Sequence, residues 1–180
     1  MSAHNVGGIT FNLKDGTTGH CVLGGKNLEY RYSLERYWGD GEDRIMFVMM
    51  NPSTATETQD DPTVAKCVRF AKKWGYRGLY VGNTFAYRAT DQKRLAEVED
   101  PVGPDCMKHL AQMATLSDCV VFAYGTPQVK SLLPRGLEVV RELQHRAGIQ
   151  PYVLRLTEKT GRPYHPLYLP ESLTPQEWNP

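Results

Sequence analysis

An Asn-Pro pair, a second asparagine and a histidine set between prolines carry the chemistry legible in this 180-residue chain. Asn51 ends the apolar run Ile45-Met46-Phe47-Val48-Met49-Met50 and precedes Pro52. An amide there can hold a water or a carbonyl by hydrogen bonds, and Asn-Pro is equally a common way to start a turn. Asn83 ends the run Leu79-Tyr80-Val81-Gly82. It can read the donor and acceptor edge of a planar ligand such as a base, or cap the loop that follows. Phe85 and Tyr87 flank it and suit either stacking on that ligand or the core. His165 lies in Pro163-Tyr164-His165-Pro166, a stiff loop. A donor fixed there can stabilise a developing anion. His4, His20, His109 and His145 have no such setting. Asp60 and Asp61 precede Pro62. Asp61 reads as a helix N-cap with Pro62 at the first helical position, leaving Asp60 to face a cleft.

The elements that position these groups follow from periodicity. Val64, Cys67, Val68, Ala71 and Trp74 recur at helical spacing and predict an amphipathic helix over 62–74. Its other face carries Lys66, Arg69, Lys72 and Lys73. Continuous apolar runs near 46–50, 79–83, 119–124 and 152–156 predict strands buried on both faces. Helices are expected over roughly 104–116 and from Pro134, with Leu137, Val140 and Leu143 facing inward. The rhythm predicts an α/β fold: three layers, α/β/α, around a four-stranded parallel sheet. Residues 1–45 differ, and short antiparallel strands at Phe11-Asn12-Leu13 and at Leu28 to Leu34 predict a β-rich extension. The whole chain reads as one domain, with an α/β core over 46–170 and an irregular tail from Gly161 that includes 171–180. In such folds ligands bind beyond the carboxyl ends of the strands. Asn51, Asn83, Tyr124-Gly125-Thr126 and Tyr164 to Tyr168 are therefore expected to converge.

Composition sets outer limits. Hydrophobic residues make up 41% and charged residues 23%, enough for a large core. The net charge of +1 means that any basic surface must come from local clustering. No apolar run approaches the roughly 20 residues of a membrane span. Met1 to Asn5 lack the basic and apolar regions of a signal peptide, so a cytoplasmic protein is expected. Cys21, Cys67, Cys106 and Cys119 form no CxxC pair and have no histidine at ligand spacing; free thiols and no metal are expected. Phosphate-loop, dinucleotide-binding, GxSxG and HExxH motifs are absent from the sequence, and no cofactor is expected.

Five motifs occur in order: Asn51 to Ala55, Asp60-Asp61-Pro62-Thr63, Asn83 to Asp91, Asp100-Pro101-Val102-Gly103-Pro104, and His165 to Leu169. Together they resemble the DUF1643 family of bacteria and phages, over about residues 30–170. More distantly, their order resembles the uracil-DNA glycosylase superfamily. That resemblance implies that Asn51 orients the attacking water and that Asn83 reads a flipped base, with Phe85 or Tyr87 stacking on it. It implies that His165 stabilises the departing base, with Asp60 as a further catalytic candidate. Gly125 and Gln128 match the segment after the third strand. The partner it implies is DNA with an unusual or modified base. Ser53, Lys66, Arg69, Lys72, Lys73, Arg88 and Arg162 would contact its backbone. Leu167 departs from the serine expected after His-Pro, and Asn51 stands where stronger members carry aspartate. A binding module without catalysis and an enzyme for free nucleotides are the rival expectations.

Overall fold

A computed structural model describes residues 8–180; His4 and the expectation that Met1 to Asn5 are not a signal peptide lie outside the described residues. In chain order the elements are β1 (Phe11–Asn12), β2 (Thr18–Gly24), β3 (Tyr30–Tyr37), β4 (Arg44–Met49), β5 (Gln59–Asp60), α1 (Pro62–Lys73) and β6 (Gly78–Asn83). They continue with α2 (Cys106–Thr115), β7 (Cys119–Phe122), α3 (Arg135–Ala147), β8 (Pro151–Val153) and β9 (Gln176–Glu177). Short 3-10 turns fall at Gln92–Ala96, Lys130–Leu132 and Pro166–Tyr168.

The main sheet has seven strands in the order β2-β3-β6-β4-β7-β8-β9 and is mixed. All four apolar runs lie in it, and β4 pairs in parallel with both β6 and β7, as β7 does with β8. The outer pairings, β2 with β3, β3 with β6 and β8 with β9, are antiparallel. One expectation is corrected here: the sheet is mixed and wider than four parallel strands, because the N-terminal antiparallel extension, β2 and β3, continues it at one edge and β9 at the other. An open parallel sheet leaves unpaired N–H and C=O groups along both edges. The β2–β3 hairpin covers one edge, and Leu34 aligned with Val81 is buried there. At the other edge β9 aligns with β8, and Trp178 packs its ring 6.1 Å from that of Phe122. The tail is therefore not irregular throughout; burial of Trp178 decides its path against the local preference of its prolines.

Helices cover both faces. Val64, Cys67, Phe70 and Ala71 of α1 pack with Ile45, Phe47, Leu79 and Val121. Leu110 and Met113 of α2, with Val139, Val140 and Leu143 of α3, pack with Met46, Val48, Val120 and Phe122. Alternation of side chains along each strand supplies the two faces. α1 starts where expected: Asp61 is extended, with φ −84° and ψ 170°, and its Oδ1 accepts from the Val64 N–H at 2.8 Å. α3 stops at Gly148, whose φ of 62° is the left-handed conformation suited to glycine.

β3 carries a defect that matters for the site. Its register against β2 shifts between Val22 and Leu23, so that Tyr32 is an extra residue. Tyr32 stacks on His109 of α2, with ring centroids 5.2 Å apart, and Ser33 lies on the same side. Arg31 and Leu34 consequently share the opposite face. A bulge re-aims side chains in this way.

No helix among the described residues is long and apolar enough to cross a membrane. All four cysteines are free, and Cys67, Cys106 and Cys119 are buried. Burial raises the thiol pKa of these three, the chemistry of inert core cysteines.

Candidate functional site at the carboxyl edge of the sheet

A cavity of about 730 Å³ opens at the carboxyl ends of the parallel strands. β4 delivers Asn51 to it, β6 delivers Asn83, β7 delivers Tyr124, and the chain after β8 returns to place His165. The N-terminus of α1 adds Asp61 and Thr63. β3 runs antiparallel to β6, so its early residues lie beside the late residues of β6, and Arg31 enters the lining from there.

Asn51 is held by its amide nitrogen, which donates to the carbonyl oxygens of Ala89 at 2.7 Å and Pro52 at 3.1 Å. Both partners only accept, which settles the orientation of the amide. Its Oδ1 remains as an acceptor at the cavity. Asn83 is 3% exposed, and its Oδ1 is buried without a hydrogen-bond partner. Such a group costs free energy until a donor satisfies it. The hydroxyl of Tyr124 is likewise buried and unpartnered. Burial pushes this phenol up to about 12, with Arg162 opposing, so it stays protonated. Gly136 of α3 provides the space for its ring, because a Cβ at that position would strike it.

The Nδ1 of His165 accepts a long hydrogen bond from the Leu167 N–H at 3.4 Å. The proton of the neutral ring therefore sits on Nε2. Burial lowers the pKa of His165, and the charge of Asp61 partly offsets that. The imidazole is thus a neutral donor at ordinary pH. His109 is lowered for the same first reason, with Asp105 opposing. Both histidines bind fewer protons folded than unfolded at pH values below 6.5, the ordinary value. Their contribution to stability is complete above that value and is lost as pH falls through it toward the depressed folded values. The melting temperature is expected to fall between about pH 7 and pH 5.5, and to fall less in the double variant His109→Gln/His165→Gln. Equal slopes for wild type and variant would refute this assignment.

Several expected site residues are elsewhere. Asp60 does not line the cavity: it is buried and accepts from Arg36 Nε at 2.8 Å. Burial raises its pKa, with Arg36 opposing. Asp61 caps α1 as expected, and it is also the member of the pair that lines the cavity. Phe85 and Tyr87 are each 4% exposed and belong to the core cluster on the α2 and α3 side. The aromatic rings at the cavity are Tyr164, Tyr168 and Tyr124, and Tyr168 is 79% exposed.

The basic set is dispersed. Lys66 and Arg69 both reach Glu171, at 3.3 and 2.6 Å, and Lys72 lies over the Trp38 ring at 5.1 Å. None of these three, nor Lys73, lines the cavity. Arg88 donates to Leu28 O at 3.2 Å and Arg162 to Leu133 O at 3.0 Å, both outside the lining. Ser53 does line it, sharing a hydrogen bond of 3.2 Å with Thr90. Gln128 lines it too, with its N–H bonded to Gln92 Oε1 at 2.9 Å. Among the described residues no three His, Cys, Asp or Glu side chains group as metal ligands.

Sequence reasoning missed Arg31. Strict alternation along β3 directs it away from Leu34, and β3 itself carries no glycine or proline to announce the bulge. Arg31 is 2% exposed, and its Nη1 donates to Ala55 O at 2.8 Å.

Fold and site together describe a mixed α/β protein with a cavity at the strand ends into which a few polar side chains converge. Residues 31–167 match the model of DUF1643, a protein family of unknown function, and the chain belongs to that family. No curated protein and no solved structure matches it.

Proposed function

We propose that the chain is a base-excising N-glycosidase that draws a nucleotide carrying an unusual base out of DNA and into the cavity. The observation that carries this reading is the hydrogen-bonding capacity left unspent at one place. Asn51 keeps a free acceptor, Asn83 has an unsatisfied buried acceptor, and His165 offers a donor. In this reading Asn83 accepts from the base edge. Asn51 accepts from a water and aims its oxygen at C1′. As the glycosidic bond breaks, its electron pair leaves with the base, and His165 donates to the anion that forms. The water oxygen bonds to C1′ and releases a proton to solvent. The carboxylate of Asp61 favours the positive charge that develops on the sugar.

Two features support a ligand of this size and kind. A volume of about 730 Å³ lies within the usual range of small-molecule sites, about 300–1,000 Å³. Tyr164 and Tyr168 offer rings for stacking, worth about 1–3 kcal/mol per base. The parallel strands β6, β4, β7 and β8, each followed by a lining residue, support a uracil-DNA glycosylase-like layout of the core.

The test is a screen for abasic sites in oligonucleotides carrying deaminated and hypermodified bases, alongside the corresponding free nucleotides. Abasic product supports the reading. Binding without product favours a binding module, and release only from nucleotides removes DNA as the substrate. On a substrate so found, Asn83→Ala is expected to relax the ratio of kcat/KM between preferred and next-best base by about 5- to 150-fold, the equivalent of one lost edge contact. An unchanged ratio would place base reading on other groups.

A further inference from the structure

A guanidinium enclosed by protein needs partners for its charge and for its several N–H groups. Arg31 has neither in full. Among the described residues it donates a single hydrogen bond, from Nη1 to Ala55 O, and its buried Nε has no partner there. Among the described residues, no carboxylate lies within ion-pair distance of it. The opposing charge that acts on it most strongly is Asp61, which lines the same cavity without forming an ion pair with Arg31 and whose Oδ1 accepts from the Val64 N–H. Arg36 and Arg88 add positive potential at the same place, and Arg36 spends its own Nε on Asp60. Leaving a buried cation this poorly matched costs several kcal/mol, a cost that a bound anion removes.

The surroundings specify the kind of anion. Arg31 lines the cavity together with Asn83 and with Thr63 in the first turn of α1. A helix N-terminus of this length carries partial positive charge, and the fork of an arginine matches phosphate oxygens in pairs. The cavity also has room for more than a base. We propose that Arg31 is an anion subsite of this cavity and takes a phosphate group of the nucleotide whose base lies at Asn83. The proposal rests on the glycosidase reading for the base alone. The phosphate contact requires no bond cleavage.

The chemistry has two sources, a free nucleotide or the backbone of DNA, and the experiment separates them. Calorimetry measures binding of inorganic phosphate, the deoxynucleoside 5′-monophosphates, the matching nucleosides and a single-stranded oligonucleotide with a 5′-hydroxyl. Wild type, Arg31→Lys and Arg31→Gln are compared at constant ionic strength, with circular dichroism to establish folding. Phosphate-bearing ligands are expected to bind wild type roughly 10- to 100-fold more tightly than either variant, the usual range for a charged hydrogen bond. Nucleosides should bind all three alike. A monophosphate advantage over nucleoside points to free nucleotide; Arg31-dependent binding of the oligonucleotide without that advantage points to the DNA backbone. Equal affinities for nucleoside and monophosphate, with oligonucleotide binding indifferent to Arg31, overturn the proposal.

If the variants do not fold, wild type decides alone. Inorganic phosphate should compete with the phosphate-bearing ligand, chloride should not, and failure of phosphate to compete overturns the subsite. None of these readouts uses base release. Loss of the hydrolase reading with Arg31-dependent binding intact is therefore distinguishable from loss of the subsite.

Discussion

Asn51→Ala is expected to lower base release by roughly 10²–10⁴-fold in single turnover, the range for loss of a group that positions a reacting water. Affinity for substrate should hardly change, because the Asn51 amide nitrogen is spent on two carbonyls and, in the proposed mechanism, its oxygen meets the water and not the ligand's phosphates. Asn51→Asp sharpens the test. An aspartate is the stronger acceptor for a water, but here the amide nitrogen is tethered to Ala89 O and Pro52 O. A carboxylate would set oxygen against oxygen at both positions and lose its aim. Asn51→Asp is therefore expected to stay below wild type despite its greater basicity. Rapid-quench rates and Kd values for the three proteins check this. A wild-type rate in Asn51→Ala would move water positioning to another group, and Asp61, which lines the cavity, becomes the first candidate.

Arg36→Met is expected to destabilise the fold by about 3–5 kcal/mol, as when one partner of a buried ion pair is removed. Arg36 has no exposed surface. It binds Asp60 through Nε at 2.8 Å, Thr56 O at 2.6 Å and Gln59 O at 3.1 Å through Nη2, and Glu35 O at 2.8 Å through Nη1. These bonds tie the segment before α1 to β3 and so hold Asp61 at the cavity. Without Arg36, Asp60 becomes a buried carboxylate without its ion-pair partner, and burial already raises its pKa. The double variant Arg36→Met/Asp60→Leu should recover much of the loss, because an apolar pair leaves no charge unmatched. Urea unfolding of the four proteins of the cycle measures the coupling. A single-variant cost below about 1 kcal/mol would mean that solvent already screens the pair.

Local chemistry made much of this protein legible. The four apolar runs are strands because burial on both faces demands uninterrupted apolar side chains, and that demand is written residue by residue. The start of α1 was equally local: Asp61 and Pro62 satisfy the first turn by themselves. Convergence of Asn51, Asn83 and His165 followed from one topological rule, that residues after parallel strands emerge on the same edge.

Other features depended on partners far away in the chain. Asp60 and Asp61 are chemically identical, and Asp60 is withdrawn from the cavity by its ion pair with Arg36 of β3, a partner that no local pattern announces. Phe85 and Tyr87 suit a stacking platform or a core, and the packing of α2 and α3 claimed them for the core. The tail is committed by Trp178 meeting Phe122, a contact between residues 56 positions apart. Arg31 depended on a single extra residue in β3, since a shift of one position transfers a side chain to the other face of a sheet. Alternation is a property of one strand and is visible in its sequence. Register is a property of two strands, and only their pairing in the folded protein could turn Arg31 toward the cavity.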